Sequence, residues 1–173
     1  MNKLFSVWLV PQRKEEKELG KIVKDLAQKY NSPIFIPHLT LLGGMMINFD
    51  DLKSAVNKVF KEQKPFTIKK TKLNQSEKFF KTVFMELESS YILKNLFTTL
   101  SKKTDKSSVE NFKPHISLIY KLMPEDEKLK VIENLDVENE FTISRVFISA
   151  PKEGDADFMD VEGWRVLYKK GLI

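Results

Sequence analysis

Apolar and polar side chains alternate at the start of the chain, between residues 3 and 10. Phe5, Val7 and Leu9 share one side of this pattern, and Ser6 and Trp8 share the other. A period of two is typical of a β-strand that packs one face on a core. Pro11 follows and ends the run, because proline has no backbone N–H to donate. We therefore expect the chain to begin with a strand.

The spacing changes to that of an amphipathic helix over residues 15–30, where apolar side chains recur three and four positions apart. Further helices are predicted from Asp50 or Asp51, as the cap, to Phe60, over residues 91–102 and from Pro124 onward. Further strands are predicted over residues 66–73, 79–87, 141–149 and 164–169, and at the two histidines. The first histidine strand is expected to end in a turn at Gly43-Gly44, and residues 103–111 and 152–163 are expected to form loops.

Helices and strands thus alternate in two similar halves of the chain. A length of 173 residues with 42% hydrophobic side chains suits one domain with a real core. We expect a single α+β domain over residues 1–173, in which two similar lobes pack about a pseudo-two-fold axis.

Composition narrows the class of protein. The absence of cysteine excludes disulfides, a thiolate nucleophile and cysteine-based metal sites. The first apolar stretch is too short for a signal sequence or a membrane span, so we expect a cytoplasmic protein with no membrane partner. No apolar surface stripe stands out, which favours a monomer. The formal charge of +5 suits an anionic partner, but the 29 basic residues are interleaved with 24 acidic ones, as on an ordinary solvated surface.

The only two histidines of the chain occur in matching settings. These are Pro37-His38-Leu39-Thr40-Leu41 and, 77 residues further on, Pro114-His115-Ile116-Ser117-Leu118. Residues i and i+2 of a strand point to the same face, so His38 projects with Thr40, and His115 with Ser117. Two facing lobes would bring both pairs into one phosphate-sized cleft. The match favours a duplicated functional element over two scattered core histidines.

An imidazole pair of this kind is suited to acid–base chemistry. Imidazole titrates near pH 6.5, so one ring can accept a proton from water while the other donates a proton to a leaving oxygen. Hydrolysis of a phosphodiester needs such a pair, and each positioned group contributes roughly 10²–10⁴ in rate. Thr40 and Ser117 can donate hydrogen bonds to the non-bridging oxygens. The scheme requires no metal and no cofactor.

Other chemistries fit the motifs less well. A zinc or two-metal site needs three or four ligands, and the two histidines have no metal-binding spacing. A Ser-His-Asp triad uses one histidine rather than two matched ones. Gly43-Gly44 lacks the Lys-Ser/Thr that would follow in a phosphate-binding P-loop.

The paired motifs resemble those of the 2H phosphoesterase superfamily, which is named for two H-x-[ST] motifs, and within it the cyclic nucleotide phosphodiesterases. The resemblance extends to residues 5–11 (FSVWLVP), the Phe79-Phe80 pair, Ile119-Tyr120 and Trp164. It implies a bilobal fold of two antiparallel-sheet-plus-helix lobes around a central cleft. It also implies metal-independent hydrolysis of nucleoside 2',3'-cyclic phosphates to the 2'-phosphate, or of ADP-ribose 1'',2''-cyclic phosphate.

The resemblance further implies roles for particular residues. His115 would be the base that activates water, and His38 the acid that protonates the leaving ribose oxygen. Thr40 and Ser117 would hold the phosphate.

Trp8 and Tyr120 match family positions that line the pocket, and Phe80 is a further candidate. Trp8 shares its strand face with a serine, which suits a cleft location, and Phe80 could form a second stacking wall or belong to the core. Tyr120 lies five residues after His115, an odd offset that reaches the pocket only if the strand ends or twists there. Lys81 stands where the family pattern has an uncharged polar residue, and it either contacts phosphate or points to solvent.

Two rival functions stay open. The first is that of the 2'-5' RNA ligase-like phosphodiesterases, which act on RNA termini and usually carry an arginine shortly after the second motif. Tyr120 and Lys121 occupy that place here, and the chain has few arginines, Arg13, Arg145 and Arg165. The second rival is a non-catalytic nucleotide- or RNA-binding module, which would not need an acid–base pair.

Overall fold

The computed structural model describes residues 3–104, 112–152 and 160–173. The strands are β1 (Lys3–Pro11), β2 (Leu39–Ile47), β3 (Phe66–Gln75), β4 (Val83–Leu87), β5 (His115–Ile119), β6 (Glu140–Ala150) and β7 (Arg165–Gly171). The helices are α1 (Arg13–Tyr30), α2 (Phe49–Val59), α3 (Tyr91–Lys103) and α4 (Glu125–Glu133). Short 3₁₀ turns occur at Phe79–Lys81 and Val161–Gly163.

All strands belong to one antiparallel sheet in the order β1-β2-β5-β4-β3-β6-β7. Because β1 also pairs with β6, six of the strands close into a circuit. Antiparallel pairing with helices packed on the sheet is an α+β architecture, which confirms the fold class predicted from the sequence.

Strands from the two halves of the chain pair with each other. On one side of the circuit, β1 from the first half pairs with β6 from the second, and β2 and β7 extend this pair on either side. On the other side, β3 and β4 pair with β5. The sides are joined by the pair Leu39 and Ile116 and by the run of pairs between β3 and β6. Each side is therefore built from both halves of the sequence.

The two faces of β1 pack on different clusters. Phe5, Val7 and Leu9 belong to the main core beneath the helices. Trp8 packs with Val10 and Phe147 in a smaller cluster on the opposite face. The alternation in the sequence predicted this division, and it puts Trp8 on the face that also carries the cleft.

The strand predicted over residues 79–87 is shorter in the structure. Phe79–Lys81 forms a 3₁₀ turn, and β4 begins only at Val83. The buried Thr82 hydroxyl explains this turn, because it lies 2.9 Å from the Phe79 carbonyl and 2.6 Å from the Lys121 carbonyl. Local side-chain bonds of this kind compete with the strand ladder.

The turn predicted at Gly43-Gly44 is also wrong. Strand β2 continues through both glycines to Ile47. Its register against β1 slips between the pairs Phe5–Met45 and Val7–Leu42, and Gly44 adopts a φ of +66°. The glycines therefore form an irregular step inside a strand, where a positive φ favours glycine.

Smaller boundary differences remain. The side chain of Asn48, and not that of Asp50 or Asp51, caps α2 and accepts the Asp50 N–H at 2.8 Å. The loops predicted over residues 103–111 and 152–163 lie largely outside the described residues, although the second ends in the turn at Val161–Gly163. Within the described part of the chain, the helices are too short or too polar to cross a bilayer.

Candidate active site

Neighbouring strands bring the two histidine motifs together. Leu39 of β2 pairs with Ile116 of β5, so the residues that flank this pair face each other across the seam. Thr40 lies opposite Trp8 on β1, whereas Ser117 lies opposite Phe84 on β4. The pairing of β2 with β5 thus brings together two motifs that lie 77 residues apart in the sequence.

A cavity of about 620 Å³ opens at this seam. Every residue that the sequence assigned to the site lines it: His38, His115, Thr40, Ser117, Trp8, Tyr120 and Phe80. The remaining walls are mostly apolar and include Ile34, Phe35, Ile36, Val161 and Trp164. A largely apolar cleft with a few convergent polar groups is typical of a small-molecule site.

Both imidazoles are anchored in the same way. Nδ1 of His38 donates to the Ile36 carbonyl at 2.6 Å, and Nδ1 of His115 donates to the Lys113 carbonyl at 2.9 Å. A carbonyl can only accept, so each Nδ1 carries the proton in the neutral ring. Nε2 is then the unprotonated nitrogen that remains for the cavity. This tautomer is the one a proton acceptor needs.

The surroundings disfavour the charged form of both rings. His38 is 8% exposed, and burial, assisted by the charge of His115, lowers its pKa to about 4 despite the Ile36 carbonyl. Burial also lowers the pKa of His115, as does Lys81, while the Lys113 carbonyl and Glu86 oppose this shift. Both imidazoles are therefore neutral at pH 7.

The two hydroxyls differ in how they are held. Thr40 is half-buried in the cavity wall. Ser117 is buried, and its Oγ donates to the Phe80 carbonyl at 2.8 Å. The Ser117 hydroxyl proton is thus already donated to a backbone carbonyl. The hydroxyl must rotate before it can donate to a phosphate.

Trp8 lies in the cavity wall, as its position on β1 predicted, but its ring is already stacked. It packs on His38 with ring centroids 3.9 Å apart and an angle of 16° between the planes. It also packs on Trp164 at 5.8 Å and 26°. The indole therefore supports the His38 ring and shields it from water. This burial lowers the pKa of the imidazole.

The other two aromatic residues form the far wall. Strand β5 ends at Ile119, so Tyr120 leaves the regular alternation and reaches the cavity. It stacks on Phe35 at 3.8 Å and 12°, and burial raises the pKa of its hydroxyl despite the side-chain hydrogen bond with Ser117. Phe80 projects from the 3₁₀ turn and is 38% exposed. Phe80 therefore offers an uncovered ring surface to a ligand.

The sequence missed several residues of the site. Phe35 and Ile36 precede the first motif without a strand pattern, and their contribution depends on the path of the chain between α1 and β2. Glu86 stands opposite His115 on β4, a neighbour that only the strand register could reveal. Ser6, which also lines the cavity, could have been found because it shares a strand face with Trp8.

An antiparallel α+β fold that brings two H-x-[ST] motifs to one cleft defines the 2H phosphoesterase class. The structure is similar to that of a Thermus thermophilus protein, with a TM-score of 0.63 and 16% identity over 98% of this chain and 97% of that one. It is also similar to Escherichia coli LigT complexed with 3'-AMP, with a TM-score of 0.58 and 14% identity over 99% of both chains. At these identities the likeness concerns the fold.

Sequence comparison is more specific. The family model described as "cyclic phosphodiesterase-like protein" matches residues 3–167, so the chain belongs to this family of the 2H phosphoesterases. A cyclic phosphodiesterase of Arabidopsis thaliana is 24% identical over 125 residues, which cover 72% of this chain and 69% of that protein. The protein is accordingly a phosphodiesterase.

Proposed function

We propose that the protein hydrolyses a ribose-bound cyclic phosphodiester, either a nucleoside 2',3'-cyclic phosphate or ADP-ribose 1'',2''-cyclic phosphate, by acid–base catalysis with His38 and His115. The observation that carries this proposal is the matched anchoring of the two rings, which leaves Nε2 of each for the same cavity. A pure binding module would gain nothing from two imidazoles held in one tautomer.

The reaction balances with these two groups and a water molecule. Nε2 of His115 takes a proton from water as the water oxygen attacks phosphorus. The bond between phosphorus and one ribose oxygen then breaks, and protonated His38 supplies a proton to that oxygen. The order follows the family resemblance, and the product is a 2'-phosphate in the case of a nucleoside 2',3'-cyclic phosphate. The two protons exchange through solvent after release.

The phosphate itself would set the required protonation state. Burial lowers both pKa values, so neither ring holds at pH 7 the proton that the acid needs. A bound phosphodiester places a negative charge between the rings and raises the pKa of each. Substrate binding thus recruits one proton into the site, and the hydroxyls of Thr40 and Ser117 complete the phosphate contacts.

The aromatic wall would receive the rest of the substrate. Phe80 is 38% exposed and meets Phe79 and Tyr120 only edge-on, whereas the rings of Trp8 and Tyr120 are stacked face to face on protein neighbours. We therefore assign base or ribose stacking to Phe80 and a supporting role to the other two rings.

The substrate and product are tested together. Purified protein in EDTA would be given adenosine 2',3'-cyclic phosphate, ADP-ribose 1'',2''-cyclic phosphate or a short RNA ending in a 2',3'-cyclic phosphate. Phosphorus NMR would identify the product, which we expect to be the 2'-phosphate from adenosine 2',3'-cyclic phosphate. A dominant 3'-phosphate, or hydrolysis of the RNA end alone, would contradict the proposal and favour an RNA-processing phosphodiesterase.

A further inference from the structure

Lys81 lies next to the reacting centre without belonging to the cavity wall. It is the last residue of the 3₁₀ turn that carries Phe80, and its Nζ sits 4.3 Å from the centre of the Phe84 ring. The same ring meets His115 edge-on, with centroids 5.5 Å apart at 70°. Phe84 therefore contacts both the ammonium group and the imidazole.

The Lys81 ammonium has no anionic partner of its own. Among residues 3–104, 112–152 and 160–173, none accepts a hydrogen bond from its Nζ or forms an ion pair with it. The charge of the Glu86 carboxylate acts on the Lys81 ammonium. However, Glu86 already accepts a hydrogen bond from Asn74 at 2.6 Å and forms an ion pair with Lys72 at 3.6 Å. A half-buried cation with unused donors favours an anionic ligand.

Two further lysines increase the positive potential at this place. Burial lowers the pKa of Lys81, Glu86 opposes this shift, and the charges of Lys78 and Lys113 add to it. Lys113 is also the residue whose carbonyl anchors His115. Lys78, Lys81 and Lys113 are therefore close enough for their charges to interact, and Glu86, the carboxylate that opposes them, is already engaged. Such a cluster of cations attracts phosphate.

We propose that Lys81 binds a second phosphoryl group of the substrate, on the 5' side of the ribose that carries the cyclic phosphate. This inference rests on the proposed function. The reacting phosphate belongs between the two imidazoles, and the Lys81 ammonium contacts the same Phe84 ring as His115, so we assign to it a second phosphate on the same ribose. The chemistry is shared by a 5'-phosphorylated nucleotide and by the pyrophosphate of an ADP-ribose derivative. Lys81 is thus a specificity-determining residue.

The kinetic test compares two substrates that differ in one phosphate. Adenosine 2',3'-cyclic phosphate and its 5'-phosphorylated form would be given to the wild type, Lys81→Met and Lys24→Met. Lys24 lies exposed on α1, so its variant removes the same charge far from the site. Lys81→Met should raise KM for the 5'-phosphorylated substrate by about tenfold and leave KM for the other within about twofold, as for a lost charge-assisted contact. Lys24→Met should change neither.

An equal loss on both substrates would contradict the proposal, because Lys81 would then act on the reacting phosphate or on folding. So would an unchanged preference in Lys81→Met. Lys81→Arg provides a further check, since it retains the charge and should keep most of the preference for the 5'-phosphorylated substrate.

A binding arm separates this inference from the proposed function. Calorimetry would compare adenosine 2',5'-bisphosphate with adenosine 2'-monophosphate on the same variants, without turnover. If the wild type hydrolyses neither cyclic substrate but binds the bisphosphate more tightly in a Lys81-dependent way, the second-phosphate site stands and the proposed function fails. If it hydrolyses both substrates and the bisphosphate shows no advantage that depends on Lys81, this inference alone fails.

Discussion

At the scale of single residues, the site combines two imidazoles that are alike in anchoring and different in exposure. Each Nδ1 donates to the carbonyl two positions upstream, and the Pro-His-Φ-[ST] pattern repeats that geometry in both motifs. The Trp8 ring covers His38, whereas His115 lies close to the charges of Lys81 and Glu86. The sequence predicted which residues meet, but burial and charge set their pKa values, and these come from neighbours that are distant in the chain.

The lowered pKa values predict the pH dependence of catalysis. kcat/KM reports the free enzyme, in which both histidines lose their protons below the ordinary value of 6.5. Above that pH the fraction with a protonated acid falls tenfold per pH unit, so kcat/KM should fall steadily between pH 7 and pH 9. The basic limb of kcat should lie at higher pH, because bound phosphate raises both pKa values. A flat kcat/KM profile over this range would show that no protonated imidazole is needed.

The same shift predicts a loss of stability in acid. The pKa of His38 is 6.5 in an unfolded chain and about 4 in the folded one, so the unfolded state binds more protons between these values. Stability therefore falls as the pH drops from 6.5 to 4, by about 3 kcal/mol from this residue. Urea unfolding across this range should show a smaller loss in His38→Gln than in the wild type. Identical losses would mean that burial of His38 does not disfavour its charged form.

At the scale of elements, the hydrophobic pattern predicted the existence of the helices and strands better than their ends. Regular periodicity reports burial of one face, which is why β1 and α1 could be recognised. The 3₁₀ turn before β4 depends on the Thr82 hydroxyl and on the Lys121 backbone, which lies 39 residues away. Likewise, Lys128 of α4 is fully buried and donates a hydrogen bond to Glu77. The hydrophobic periodicity of the sequence does not predict this contact.

The irregular step in β2 provides a test at this scale. Gly44 has a φ of +66°, so an added Cβ strains the backbone even though no atom lies within 4 Å of it. Gly44→Ala should lower the free energy of unfolding by about 1–2 kcal/mol. Gly20 in α1 is the matched control, because its Cβ also meets nothing within 4 Å and its backbone is helical. Gly20→Ala should stabilise by up to about 1 kcal/mol. Equal effects in urea unfolding would contradict the assignment of strain to Gly44.

At the scale of the whole molecule, the active cleft depends on strands that pair across the sequence. Leu39 and Ile116 join the two motifs, and β6 pairs with β1 on one side and β3 on the other. The sequence predicted two matched motifs and an α+β fold of two lobes, but not which strands pair between the two halves of the chain. Long-range strand pairing has no signature in local spacing, because many registers satisfy the same alternation.

The central claim is that two imidazoles share one phosphodiester, and turnover in EDTA by single-histidine variants tests it most directly. Adenosine 2',3'-cyclic phosphate would be given to the wild type, His38→Ala and His115→Ala, with circular dichroism to confirm folding. We predict turnover by the wild type and a loss of about 10²-fold or more in each variant, since each removes one proton-transfer group. Near-normal turnover by either folded variant, or loss of wild-type activity in EDTA, would contradict the claim.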